Sequence, residues 1–183
     1  LSIAASFGFS TYNKKYETLL RKKLNGIRLI TVREESAQTI VEKICDKKVN
    51  VILDPTLLID RKKWEKIEIN PHINKNDYVL TYFLGKNDEN RMNKITDFAN
   101  QIGCSIVSLN NPNYQEYYKL GPSEFIYLIH HAKYIITDSF HACAFSIIFE
   151  KDFFALSRNG AADDMSSRIV TLLTRRLPFK TRF

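Results

Sequence analysis

Cysteine is scarce in this chain of 183 residues: there are three, Cys45, Cys104 and Cys143. They are far apart, odd in number and lack C-x-x-C spacing, which excludes a disulfide framework and a cysteine-based zinc site. Each lies among apolar residues, so all three read as small core side chains in a reducing, cytoplasmic compartment. Long apolar runs are also missing. No stretch reaches the roughly 18 apolar residues of a membrane-spanning helix. The apolar start, "LSIAASFGFS", has no basic region before it and does not read as a signal peptide. It has no initiator Met and begins in mid-strand, so a piece of a longer protein is expected. There is no P-loop, no G-x-G-x-x-G, no G-x-S-x-G elbow, no metal-ligand cluster, no internal repeat and no low-complexity segment.

What is present is ordinary for a globular protein: 44% apolar and 26% charged residues, enough for one domain or two small ones. Formal net charge is +7. Residues 1–80 hold 15 Lys/Arg against 10 Asp/Glu, and residues 81–183 hold 12 against 10. The final "RRLPFKTRF" carries four of those later positive charges. Basicity spread in this way, without a stripe or a motif, does not indicate nucleic-acid binding. It is compatible with an anionic substrate or with peripheral association at a membrane surface.

Strand-like and helix-like runs alternate. Strands are predicted at 1–6, 27–32, 49–54, 78–84, 104–109, 134–137 and 153–156. Helices are predicted at 14–25, 34–45, 61–67, 88–102, 123–132 (capped by Ser123), 139–150 and 164–174. A loop fills 110–122. Polar, proline-containing 69–77 reads as a linker, giving a first domain over 1–70 and a second over 78–183. The expected class is α/β, with two parallel sheets built from βαβ units. Ligands of such sheets bind beyond the C-terminal ends of the strands. That selects Ser6–Gly8, Arg33–Glu35, Asp138–His141 and Ser157–Gly160.

Each place has two readings. A helix starting at Ser139 leaves N–H groups that attract phosphate or carboxylate, with His141 beside them to move a proton. Alternatively, Asp138 or Ser139 only caps the helix. Arg33 presents a fork suited to an anion, or it pairs with Glu34, Glu35 or a neighbour. Arg158, Ser166, Ser167 and Arg168 line a polar loop and helix start that would hold an anion, or form a plain surface loop. Ser6 and Gly8 bring the backbone close to a ligand, or make a turn. Asp54 and Pro55 shape a strand stop. His130 and His131, adjacent on a helix, point in different directions and read as surface and packing residues. No metal is expected.

Together these stretches resemble the polysaccharide pyruvyl transferase family, in the bacterial branch of capsule and exopolysaccharide clusters. The matching segments are "AASFG" (4–8), "ITVREESA" (30–37), "VILDPTLLID" (51–60), "YVLTYFLG" (78–85), "YIITDSFHACAFSIIFEKDF" (134–153) and "MSSRI" (165–169). The resemblance implies two Rossmann-like domains facing across a cleft, as in the GT-B fold, with the first domain incomplete here. It implies transfer of pyruvate from phosphoenolpyruvate to two hydroxyls of a sugar, as a ketal, with no cofactor. His141 maps to the general acid and Arg33 to a donor-binding group. Ser139, Phe140, Arg158, Ser166, Ser167, Ser6 and Gly8 are expected around the donor. A glycan or lipid-linked oligosaccharide is the expected acceptor, at the inner face of the membrane. The missing segment would leave apolar surface that favours a homo-oligomer. The ending "TRRLPFKTRF" departs from the family's expected continuation.

Two rivals stand beside this reading. A GT-B-type glycosyltransferase would use a nucleotide-sugar donor, with Glu150 or Asp152 on the ribose. A non-catalytic glycan-binding protein would keep the fold alone.

Overall fold

The computed structural model describes residues 1–73, 77–86, 88–112, 115–158 and 167–174. It is a mixed α/β structure with two separate sheets, both fully parallel. The chain divides into two compact units. The break falls after Leu58, so the segment 71–77 expected as a linker lies inside the second unit, with 74–76 outside the described residues.

In the first unit, β1 (Ser2–Ala5), β2 (Ile30–Val32) and β3 (Asn50–Val51) lie in the order β1-β2-β3. Between them run α1 (Glu17–Asn25) and α2 (Glu35–Cys45). Helix α2 buries Ala37, Ile40, Val41, Ile44 and Cys45. That spacing is one face of a 3.6-residue period. Its buried face meets Ile30, Val32 and Val49. The strands are shorter than predicted. Arg28 and Leu29 precede β2, and β3 keeps only two residues because Pro55 and Asp54 already turn the chain into a 3₁₀ turn over Pro55–Leu58.

The second unit begins with α3 (Arg61–Glu65), whose Trp64 ring meets Phe145 edge-on at 4.9 Å. Its sheet has the order β5-β4-β6-β7, with β4 Tyr78–Tyr82, β5 Ser105–Leu109, β6 Tyr134–Thr137 and β7 Phe153–Ala155. Tyr78 to Thr81 are all buried, as a central parallel strand covered on both faces requires. Alternate residues of β4 serve different cores. Leu80, between Val107 and Ile135, joins the core completed by Leu128, Ile129 and Phe145. Val79 joins Ile95, Ala99 and Ile136. The helices supplying these contacts are α4 (Glu89–Gln101), α6 (Pro122–His131) and α7 (Phe140–Ile148).

A short α5 (Gln115–Tyr118) lies within the predicted loop. Helix α6 starts at Pro122 rather than behind a Ser123 cap. Glu124 reaches back to accept from the Gly121 N–H at 3.1 Å, a cap made by the third helical residue. The last helix, α8 (Ser167–Thr174), belongs to the first unit and packs on α2. The Glu35 N–H donates to Thr171 Oγ1 at 3.4 Å. Among the described residues, no helix is long and apolar enough to cross a membrane.

Candidate functional site

The stretch "YIITDSFHACAFSIIFE" combines β6 and α7. Strand β6 is a buried inner strand, and its last residue, Thr137, has no exposure. Chain direction then delivers Asp138 and Ser139 to the C-terminal edge of the sheet. Ser139 is the N-cap of α7, its Oγ accepting from the Ala142 N–H at 3.4 Å. Of Asp138 and Ser139, it is Ser139 that caps the helix. Asp138 does something else. Its fully buried carboxylate accepts from the Leu84 N–H at 2.7 Å and the Gly85 N–H at 3.0 Å, tying the loop after β4 to the end of β6.

Arg158, three residues past β7, reaches the same aspartate. Its Nη2 donates to the Asp138 main-chain oxygen at 3.4 Å, and its Nε lies 3.9 Å from Oδ2. That Nε is buried and has no hydrogen-bond acceptor among the described residues. Such a donor marks a place where an acceptor is wanted. His141 is exposed in the first turn of α7, its ring edge-on to that of Phe140 at 5.4 Å. The Phe140 side chain is itself buried. From Ala142 to Ile147 every residue of α7 is buried. Burial pushes the Cys143 thiol up to about 12, so it is an inert core group and not a nucleophile. The three polar residues thus divide: Asp138 braces a loop, Ser139 caps, and His141 faces outward.

In the first unit, the loop after β1 is held by Glu34, which the sequence offers only as a partner for Arg33. Glu34, with no exposure, accepts at Oε1 from the Ser6 hydroxyl (3.0 Å), the Phe7 N–H (2.8 Å) and the Gly8 N–H (3.2 Å). Gly8 adopts φ +70°, which favours glycine. Arg33 pairs with Asp54. Burial raises the Asp54 carboxyl, but the hydrogen bonds from Thr56 and Arg33 outweigh it and hold its pKa below the ordinary aspartate value. The signal for Glu34 was its position right after a strand, ahead of α2, where a carboxylate can reach the next loop.

Two predictions follow from this edge. Removing the three bonds in Glu34→Ala should cost roughly 2–4 kcal/mol in the first unit, because three buried or half-buried donors lose a charged acceptor. Glu34→Gln, which keeps Oε1, should cost less, as denaturant melts of both variants would show. The lowered pKa of Asp54 means that its ion pair contributes stability at pH above the unfolded aspartate value of about 3.9. That contribution disappears as pH falls through the lower folded value. The stability gap between wild type and Asp54→Asn should therefore close on acidification below about pH 4, with little change across neutral pH.

The remaining expected residues scatter. The Ser167 hydroxyl lies 3.3 Å from that of Ser36, joining α8 to α2. Ser166, Asn159 and Gly160 lie outside the described residues. Glu150 and Asp152 sit between α7 and β7, where Ile135 N–H donates to the Asp152 oxygen at the start of β6. That is the opposite edge of the sheet from Asp138. His130 and His131 do not point apart: both reach the carboxylate of Glu68.

A family model described as polysaccharide pyruvyl transferase matches residues 1–160, covering every described site residue except Ser167. This chain belongs to the polysaccharide pyruvyl transferase family. Membership makes it a transferase of polysaccharide modification and implies a polysaccharide acceptor. No curated protein matches the chain.

Proposed function

We propose that this member of the family transfers pyruvate from phosphoenolpyruvate to two hydroxyls of its polysaccharide acceptor, with His141 as general acid. The observation that carries the reading is the buried Nε–H of Arg158, without an acceptor among the described residues, at the edge where α7 begins. A guanidinium in that setting suits a phosphate or carboxylate.

In the reaction, the His141 imidazolium gives its proton to C3 of the enol, and positive charge develops at C2. One acceptor hydroxyl adds to C2. The C2–O bond to phosphate breaks, the second hydroxyl adds, and the two hydroxyl protons leave with inorganic phosphate and the regenerated imidazolium. The products are a pyruvate ketal and phosphate. Arg158 and the amides of the first turn of α7 would stabilise the leaving charge. Arg33 is the second donor-binding group of this proposal, with Ser6, Gly8, Ser139, Phe140 and Ser167 as supporting positions. The GT-B-like pairing of units and a cytoplasmic setting at the inner membrane face belong to the same proposal.

The test follows phosphate release from phosphoenolpyruvate against galactosides, mannosides and N-acetylhexosamine glycosides, using the protein as produced from its own gene. Acceptor-dependent release, with weaker donor binding in Arg158→Gln, is the expected result. Binding of a nucleotide sugar and none of phosphoenolpyruvate would replace this reading with the glycosyltransferase one. Glycan binding without turnover of either donor would leave a binding protein.

A further inference from the structure

Away from the sheet edge, three metal-ligating side chains converge at the end of α6. We propose that Glu68, His130 and His131 form a binding site for a divalent first-row transition cation of the zinc class. One ligand atom from each lies within 4.8 Å of the others. His130 Nδ1 is 2.8 Å from Glu68 Oε1, and His131 Nε2 is 3.5 Å from Oε2. Around a tetrahedral ion with bonds of about 2.0–2.1 Å, ligand atoms stand roughly 3.4 Å apart, so small rotations bring these three into place.

The two rings are already oriented. His130 stacks on Phe149 with centroids 4.4 Å apart, and His131 on Tyr127 at 4.1 Å. Adjacent helical residues normally diverge, but these two occupy the last turn of α6, and Glu68 lies across from them on the segment after α3. Two imidazoles and one carboxylate suit zinc, cobalt, nickel or copper, and do not suit the oxygen-seeking magnesium or calcium. Half-exposed His131 leaves one side of the site open to solvent, where water completes the coordination.

The surroundings include an opposing charge. Arg61 Nη2 is 3.1 Å from His130 Nε2, and Arg61 Nε is 2.8 Å from Glu65 Oε1. With a cation on Nδ1, the ring proton sits on Nε2, which becomes a donor and can no longer accept from Arg61. The guanidinium keeps Glu65, and Glu65 Oε1, 3.8 Å from His130 Nε2, is the group that a small rotation brings in to accept a hydrogen bond from Nε2–H. A carboxylate behind a ligating histidine fixes its tautomer in this way.

The experiment titrates zinc into chelator-treated full chain against a chromophoric competitor, then cobalt for its visible spectrum. One equivalent should bind, cobalt should give the intense bands of a four-coordinate site, and excess magnesium should not compete. His131→Gln and Glu68→Gln should each weaken zinc binding at least about tenfold, by loss of a ligand. Because His131 is half exposed, its replacement leaves the fold intact. Absence of a saturable equivalent, competition by magnesium, or unchanged affinity in both variants would overturn the site. The outcome is independent of the pyruvyl-transfer reading, since metal binding is measured without either substrate.

Discussion

His141→Ala should lower acceptor-dependent phosphate release by roughly 10²–10⁴-fold, the usual contribution of a positioned general acid. Its melting temperature should stay close to the parent's. The ring is exposed in the first turn of α7, edge-on to the buried ring of Phe140. Surface changes of this kind usually stay within about 0.5 kcal/mol. The separation of the two effects is the diagnostic part. A residue that merely supported the helix would lose stability and rate together. A rate within a few fold of the parent's would remove His141 from the chemistry.

Asp138 should behave in the opposite manner. Asp138→Ala deprives the Leu84 and Gly85 amides of their acceptor and removes the carboxylate beside the Arg158 guanidinium. Breaking a buried charged network of this kind costs about 3–5 kcal/mol. In a unit of this size that corresponds to a fall in Tm of roughly 15 °C or more. Asp138→Asn keeps one acceptor oxygen but turns an NH₂ toward the other amide, so its loss should be intermediate. Thermal melts followed by far-ultraviolet circular dichroism would measure both. A loss under about 1 kcal/mol in the alanine variant would mean that the loop after β4 is held by other contacts.

These two neighbours show what the sequence made legible and what it hid. The run "YIITDSFHA" displays a buried strand, a cap and a polar turn, and period alone assigns them. It does not say which of Asp138 and Ser139 caps, because both are good N-caps. The choice was made by a loop 54 residues upstream, whose two amides needed a carboxylate. Arg33 hid its partner in the same way. Besides the adjacent glutamates the sequence offers only an unnamed neighbour, and Asp54 lies past the end of the adjacent parallel strand β3. The predicted strands overrun β2 at its start and β3 at its end because extended, largely apolar chain reaches beyond the paired residues. The boundary near 71–77 was read from proline and polarity, whereas Trp64 packs on Phe145 and draws α3 into the second unit. His130 and His131 illustrate the limit of wheel reasoning. At a helix end, side chains are free of the next turn, and a third residue can gather both.

The burial of α7 has a consequence for motion. From Ala142 to Ile147 every residue lies inside the second unit. Such a helix has no separate opening of its own. Its amide hydrogens should exchange with solvent only when the whole unit unfolds. The exposed turn bearing His141 is thus anchored to the slowest-exchanging part of its unit. Any adjustment needed to admit donor or acceptor must come from the loops around it, and deuterium uptake should concentrate there.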